Sequence, residues 1–162
     1  MMPAESLRCG DKAPGFSLAT GDGRQASLSE LKGQAVVLYF YPKDDTPGCT
    51  KEACAFESSL EQFSKTGATI LGVSADDAAS HQRFAKKYNL TFALLSDPDF
   101  SVSKAYGVYK EKSLYGKTYW GIERATFLID ESGRISSIFP KVKVDGHIEE
   151  VLSAVKAMAA PR

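Results

Sequence analysis

The apolar positions along the chain predict strands that alternate with helices. Residues 35–41 are apolar throughout, which is typical of a central strand covered on both faces. Shorter apolar runs at residues 69–73 and 91–95 predict two further strands. Helices are predicted at residues 49–65, where apolar residues recur at spacings of three and four, and at residues 77–88. This order of strands and helices favours an α/β fold with a partly parallel sheet.

Turn residues predict a β-hairpin at each end of this core. Residues 20–23 (TGDG) separate two short strand patterns and supply glycines for a tight turn. Residues 131–133 (ESG) do the same between strand patterns at residues 125–130 and 134–139. The chain ends in a predicted helix over residues 147–159, whose apolar side chains form one stripe.

The segment before the second hairpin is harder to assign. Residues 100–106 predict a short helix, and residues 107–122 are interpreted as a long loop. Packing of aromatic side chains under this loop is the first interpretation, and the lining of a substrate pocket is the alternative. The aromatic residues concerned are Tyr109, Tyr115, Tyr119 and Trp120.

Composition indicates one ordinary globular domain over residues 1–162. The chain is 43% hydrophobic and 25% charged, and its 20 basic and 20 acidic side chains balance without forming blocks of one sign. This distribution argues against nucleic acid or an anionic membrane as a partner. No apolar run reaches the roughly 18 residues of a membrane span, and residues 1–12 lack the apolar core of a secretion signal. We therefore expect a cytoplasmic protein.

The three cysteines are too few, and odd in number, for a fold built on disulfides. Reactive thiols in a reducing compartment fit this count better. Cys49 and Cys54 lack nearby partners for a metal site, because His81 and His147 lie far away in the sequence without ligand spacing. We therefore expect neither a metal nor a cofactor. Cys9 is interpreted as an incidental thiol in the N-terminal segment.

Cys49 lies where the central strand gives way to a helix. Thr46 occupies the predicted N-cap and Pro47 the first helical position, so the Cys49 thiol is expected to face the free backbone N–H groups of the first turn. These groups favour the thiolate, which is the nucleophilic form. The helix dipole contributes only about 0.3–1 kcal/mol, which is less than one pKa unit. A strongly activated thiolate therefore needs a further cation, for which arginine is the best candidate.

The residues around Cys49 resemble a known family. The pattern Pro42-x-x-x-Thr46-x-x-Cys49 resembles the active-site signature of peroxiredoxins, and TPGCT followed by Cys54 resembles their bacterioferritin-comigratory, or Q-type, subgroup. The resemblance implies a thioredoxin-like α/β fold, with a central mixed sheet flanked by helices and an N-terminal β-hairpin. It covers nearly the whole chain, including residues 10–16 (GDKAPGF), 116–117 (GK) and 121–130 (GIERATFLID).

The resemblance also implies a reaction and a role for each residue of the motif. Cys49 becomes the peroxidatic cysteine and Cys54 the resolving cysteine, with a Cys49–Cys54 disulfide in the oxidised form. Thr46 and Arg124 become hydrogen-bonding partners of thiolate and peroxide, and Pro42 shields the site. The implied activity is reduction of hydrogen peroxide or alkyl hydroperoxides in antioxidant defence. Thioredoxin or a similar dithiol is the implied reductant. The protein is expected to be a monomer, with a dimer as the alternative.

The residues alone leave simpler roles open. Thr46 can be only an N-cap, Arg124 a surface charge, and Pro42 the end of the central strand. Glu52 lies one helical turn after Cys49 and is interpreted as solvated helix surface, outside the site, although it is also placed to orient an arginine.

Two other functions compete with the peroxidase. A dithiol oxidoreductase acting on protein disulfides is one, but such enzymes use Cys-x-x-Cys, which this chain lacks. A peroxide sensor without enzymatic activity, or a holdase, is the other, and neither requires both Thr46 and Arg124.

Helical geometry predicts a conformational step between the two cysteines. Five residues of regular helix place their Cα atoms roughly 8.6 Å apart, on directions about 140° apart around the axis. A disulfide tolerates a Cα separation of at most about 7 Å. We therefore expect a complete helix around Cys49 in the reduced form, and local unwinding of residues 46–56 in the oxidised form.

Overall fold

The computed structural model describes residues 7–159, so part of the N-terminal segment 1–12 discussed above lies outside the described residues. The strands are β1 (Ser17–Ala19), β2 (Gln25–Ser27), β3 (Ala35–Phe40), β4 (Ala68–Ser74), β5 (Ala93–Ser96), β6 (Tyr109–Leu114), β7 (Lys117–Ile122), β8 (Ala125–Ile129) and β9 (Ile135–Phe139). The helices are α1 (Pro47–Ser58), α2 (Leu60–Lys65), α3 (Ala78–Tyr88), α4 (Ser101–Ala105) and α5 (His147–Ala159). Among these helices, none is long and apolar enough to cross a membrane.

A five-stranded mixed sheet forms the centre of the protein, with the strand order β5-β4-β3-β8-β9. β3 pairs in parallel with β4 and antiparallel with β8, so it is the central strand, as its apolar sequence predicts. Its side chains alternate between two cores: Val37 and Tyr39 pack with α1, α2 and α5, while Val36 and Leu38 pack on the opposite side. The predicted α/β fold, with a mixed sheet, flanking helices and an N-terminal hairpin (β1–β2), is confirmed.

The register between β3 and β8 positions the two ends of the functional motif. Phe40 at the end of β3 pairs with Ala125 at the start of β8. Arg124 therefore lies beside the point where the chain leaves β3 and turns toward α1. This register joins two segments that are far apart in sequence.

The long helix predicted over residues 49–65 is wrong, because the structure has two helices there. Ser59 lies between α1 and α2 with φ −102° and ψ 5°, and its N–H group bonds back to the carbonyls of Ala55 and Phe56. Two consecutive serines, at positions 58 and 59, are poor helix formers and offer competing hydrogen bonds, so they permit the break. The apolar spacing continues across it, since Phe56 and Phe63 are both buried.

The loop predicted over residues 107–122 is also wrong, because this segment forms the β6–β7 hairpin. Tyr115 and Gly116 form its tip with φ values of +52° and +78°, the left-handed backbone of a tight hairpin turn. Tyr109 packs on Phe100 with ring centroids 4.4 Å apart. The expected burial of the other aromatics is also wrong, since their exposed fractions are 95% for Tyr115, 46% for Tyr119 and 56% for Trp120.

Candidate active site

Cys49 is buried at the start of α1. Thr46 is the N-cap, with extended backbone, and Pro47 is the first helical residue, as predicted. Cys49 is therefore the third residue of the helix, where backbone N–H groups lack acceptors within the helix. Only 1% of its surface is exposed, and its sulfur accepts a hydrogen bond from Arg124 Nη2 at 3.4 Å. Arg124 is thus the cation that lies beside the Cys49 thiol.

Arg124 connects the thiol to a buried carboxylate. Its Nη1 donates to Glu52 Oε1 at 2.6 Å, while Nη2 reaches the Cys49 sulfur. Burial opposes the charge of Arg124, but Glu52 and Cys49 outweigh it and raise the pKa of the guanidinium. Gly48 makes room for this approach, because a Cβ atom there would lie 3.1 Å from Nη2. A side chain at position 48 would press on the guanidinium.

Glu52 belongs to the site, so its interpretation as solvated surface is wrong. Its side chain is fully buried, and Oε2 has no hydrogen-bond partner among residues 7–159. Burial raises the pKa of Glu52 to about 7, against the opposing effect of Arg124. A signal was present in the sequence, since Glu52 shares one helix face with Cys49, Ala53 and Phe56, all of which are buried.

Thr46 and Pro42 lie in the short connection between β3 and α1. The Thr46 hydroxyl donates to the Lys43 carbonyl at 2.9 Å and makes no side-chain capping bond to α1. Among the hydrogen bonds of the described residues, none joins Thr46 to the Cys49 sulfur. Pro42 is half-buried, two residues after the end of β3. Both residues therefore lie near the helix start, and the Thr46 hydroxyl proton is engaged within its own turn.

Cys54 lies in the next turns of the same helix. All three cysteines are free thiols, and α1 is continuous from Pro47 to Ser58. This is the arrangement predicted for the reduced form. Cys54 is half-buried, and burial together with the carboxylate of Glu57 raises the pKa of its thiol. Cys9 is exposed, in the turn before β1.

Two further residues near Cys49 were missed by the sequence analysis. Lys112 of β6 donates from Nζ to the Ile122 carbonyl at 2.7 Å, and burial and then Arg124 lower its pKa. Tyr39 lies under α1, where its ring stacks on Phe56 with centroids 4.6 Å apart. Burial and then Glu52 raise the pKa of Tyr39 well above its usual value. Lys112 had no sequence signal because its hairpin was not predicted, and Tyr39 was read only as core.

The arrangement suits nucleophilic attack by sulfur. Helix N–H groups and a guanidinium at one thiol stabilise the thiolate, and the same donors can stabilise a negative oxygen that develops beside it. Within residues 7–159, no group of three or more His, Cys, Asp or Glu side chains is arranged to hold a metal ion.

Comparison with known proteins identifies the family. Residues 9–138 match the AhpC/TSA family. The chain is 58% identical to a putative peroxiredoxin Bcp of Coxiella burnetii, over 91% of this chain and 97% of that protein. It is 46% identical to peroxiredoxin Bcp of Escherichia coli, over 94% of this chain and 98% of that protein. A solved structure of Xanthomonas campestris peroxiredoxin Q superposes with a TM-score of 0.86 at 46% identity, covering 90% of this chain and 92% of that one.

The fold, the thiol site and these matches define the class of protein: the chain belongs to the AhpC/TSA family of peroxiredoxins. Within that family its relatives are the Bcp and Q-type peroxiredoxins, as the motif around Cys49 predicts. It is therefore a peroxidase that acts through cysteine. One set of Xanthomonas campestris structures concerns the alkyl peroxide reduction activity of its bacterioferritin comigratory protein, in trapped intermediate and ligand complexes.

Proposed function

We propose that this protein reduces hydrogen peroxide and alkyl hydroperoxides with Cys49 as the attacking thiolate and Cys54 as the resolving thiol. The observation that carries the proposal is the contact of Arg124 with both the Cys49 sulfur and Glu52. That contact places a fixed positive charge at one cysteine of α1 and leaves the other without one. The alkyl peroxide reduction described for the Xanthomonas protein supports the wider substrate range.

In the first step, the Cys49 thiolate attacks one peroxide oxygen in line with the O–O bond. The O–O bond breaks and an S–O bond forms, which gives a sulfenic acid and an alcohol or water once the departing oxygen is protonated. Arg124 stabilises the negative charge on that oxygen. One such preorganised donor is worth roughly 10²–10³ in rate.

In the second step, the Cys54 thiolate attacks the Cys49 sulfur, the S–O bond breaks and a disulfide forms; the departing hydroxide takes up a proton and leaves as water. A continuous helix keeps the two Cα atoms roughly 8.6 Å apart, which is beyond the reach of a disulfide. α1 must therefore unwind. The break at Ser59 provides a place where unwinding can stop without disturbing α2.

The disulfide is then reduced by an external dithiol, by thiol–disulfide exchange. Thioredoxin or a similar protein is the proposed reductant, and antioxidant defence in the cytoplasm is the proposed role. Because both thiols belong to one helix, resolution needs no second chain, and we propose a monomer. The identity to peroxiredoxins favours this function over the disulfide oxidoreductase and the sensor.

The test is peroxide consumption driven by thioredoxin and its reductase, in the wild type and single cysteine variants. Cys49→Ser should consume no peroxide. Cys54→Ser should be oxidised once, fail to turn over and then over-oxidise. Cys9→Ser is the matched control and should behave as the wild type. Undiminished turnover of Cys54→Ser would contradict the assignment of the resolving thiol.

A further inference from the structure

A buried polar cluster lies beneath the connection between β3 and α1. At its centre, Asp44 Oδ2 lies 2.7 Å from His81 Nδ1, with side chains that are 4% and 0% exposed. The Tyr41 hydroxyl donates to Asp44 Oδ1 at 2.6 Å, and the Ser80 hydroxyl donates to Oδ2 at 2.8 Å. The other imidazole nitrogen, Nε2, lies 2.9 Å from the Leu95 carbonyl. Every side-chain oxygen and nitrogen of Asp44 and His81 thus has a partner.

The partners determine which atoms donate. A backbone carbonyl only accepts, so His81 Nε2 carries a proton. Asp44 already accepts from two hydroxyls, and we assign the 2.7 Å contact between His81 Nδ1 and Asp44 Oδ2 as a third hydrogen bond to the same carboxyl group. A buried carboxylate with three side-chain donors is held in one position, because any displacement leaves a polar group unpaired.

The cluster anchors the peptide that carries two residues of the active-site motif. Asp44 lies between Pro42 and Thr46, and its backbone N–H donates to Asp76 Oδ2 at 2.8 Å. Its neighbour Asp45 has φ +57°, a left-handed conformation that tolerates little variation. His81 lies on α3, which packs beside β5. The turn before α1 is therefore fixed to the sheet through α3 rather than through α1.

We propose that His81 is a positioning residue, which acts through Asp44 to hold the Pro42 to Thr46 turn in register with the Cys49 sulfur. This inference rests on the proposed role of Cys49. Because the anchor lies on α3, residues 42–45 of the turn stay in place when residues 46–56 unwind, and the site is rebuilt on the same support when α1 refolds. Misplacement of the turn by a fraction of an ångström lowers the rate of Cys49 oxidation about tenfold.

A pair of variants at position 81 separates positioning from packing. The amide nitrogen of asparagine falls where His81 Nδ1 lies, whereas that of glutamine falls where Nε2 lies. His81→Asn should therefore keep the bond to Asp44 and oxidise Cys49 within about threefold of the wild type, while His81→Gln should be about tenfold slower. The measurement is single-turnover formation of Cys49 sulfenic acid, by rapid quench and mass spectrometry. Equal losses in the two variants would overturn the proposal.

Two further variants complete the test. If His81 acts through the turn, His81→Gln combined with Thr46→Val should be no slower than Thr46→Val alone, whereas multiplied losses would mean that His81 acts independently. Should both position-81 variants unfold, Ser80→Ala removes another donor to Asp44 and should slow oxidation severalfold; an unchanged rate would count against the proposal. Thermal unfolding of each variant controls for general destabilisation. Peroxide reduction by Cys49→Ser would contradict the proposed role of Cys49 itself, whatever the position-81 variants show.

Discussion

The two thiols of α1 lie five residues apart, but their surroundings differ in charge. Cys49 is almost fully buried against the guanidinium of Arg124, 3.4 Å from its sulfur. Cys54 is half-buried beside Glu57, and burial together with that carboxylate raises the pKa of its thiol. The sign of the neighbouring charge therefore differs between the two thiols, which supports the proposal that Cys49 is the nucleophile.

The two halves of α1 also differ in the polar contacts that attach them to the rest of the protein. The first half is tied to β8 by the buried ion pair between Glu52 and Arg124. The second half is tied by exposed bonds from Thr91 N–H and Oγ1 to the Glu57 carboxylate, at 2.7 and 2.8 Å. Exposed bonds of this kind contribute little net stability, because water replaces them readily. Of the polar attachments of α1, the one at the end that carries Cys54 is thus the weaker, while Ala53 and Phe56 hold that end through the core.

Removal of Arg124 should have the largest effect on this comparison, because it takes away the charge that distinguishes Cys49. In Arg124→Gln, single-turnover oxidation of Cys49 should fall by roughly 10²–10³. The variant should also lose stability by about 3 kcal/mol or more, since Glu52 is left buried without its partner. Thermal unfolding and stopped-flow kinetics measure the two effects.

The double variant Arg124→Gln, Glu52→Gln separates the effect on the oxidation rate from the effect on stability. It should regain most of the stability but none of the rate, because the buried charge is gone while the donor to peroxide is still absent. Recovery of the rate in the double variant would show that Arg124 acts only by neutralising Glu52.

Glu52 should make stability depend on pH. Its pKa is raised by burial to about 7 in the folded protein, above that of an exposed glutamate, so the unfolded chain releases its proton at lower pH. The contribution of Glu52 is therefore most favourable at acidic pH and decreases as pH rises toward 7, by roughly 3 kcal/mol in all. Glu52→Gln should remove this slope in urea unfolding between about pH 4.5 and pH 7. An unchanged slope would mean that Glu52 titrates normally.

Glu57→Gln should have the smallest effect and act on Cys54 alone. The amide keeps an acceptor for Thr91 but removes the negative charge that raises the pKa of the Cys54 thiol. Disulfide formation after peroxide should become about two- to fivefold faster, with an unchanged rate of Cys49 oxidation. The matched control is Glu61→Gln, at an exposed acid on α2. A changed rate of Cys49 oxidation in Glu57→Gln would contradict the claim that Glu57 acts on Cys54 alone.

Local patterns predicted much of this molecule. The all-apolar strand β3 and the start of α1 at Thr46 and Pro47, with two cysteines in that helix, are encoded within short windows, and the structure forms both elements there. Short sequence segments also contained the features that explain the two wrong predictions. The serines at positions 58 and 59 mark the break in the helix, and Tyr115-Gly116 marks the turn of the β6–β7 hairpin. In both cases a competing local preference, the low helix propensity of serine or a tight turn, prevailed over the apolar pattern.

The rest of the site depends on strand register and could not be derived from spacing. Arg124 reaches Cys49 because Ala125 pairs with Phe40, and His81 reaches Asp44 because α3 packs beside β5. The resemblance to peroxiredoxins supplied Arg124 in advance but did not supply Glu52 or His81. Buried polar partners of this kind become visible only when the hydrogen bonds of each buried group are accounted for.

If the folded α1 keeps Cys49 and Cys54 apart, resolution requires unwinding of this helix. Amide hydrogen exchange of α1, measured before and after one equivalent of peroxide, detects that unwinding. We expect protected amides over residues 49–56 in the reduced protein, lost protection in the disulfide form, and retained protection in oxidised Cys54→Ser. A disulfide form, verified by mass, in which these amides stay protected would contradict this expectation.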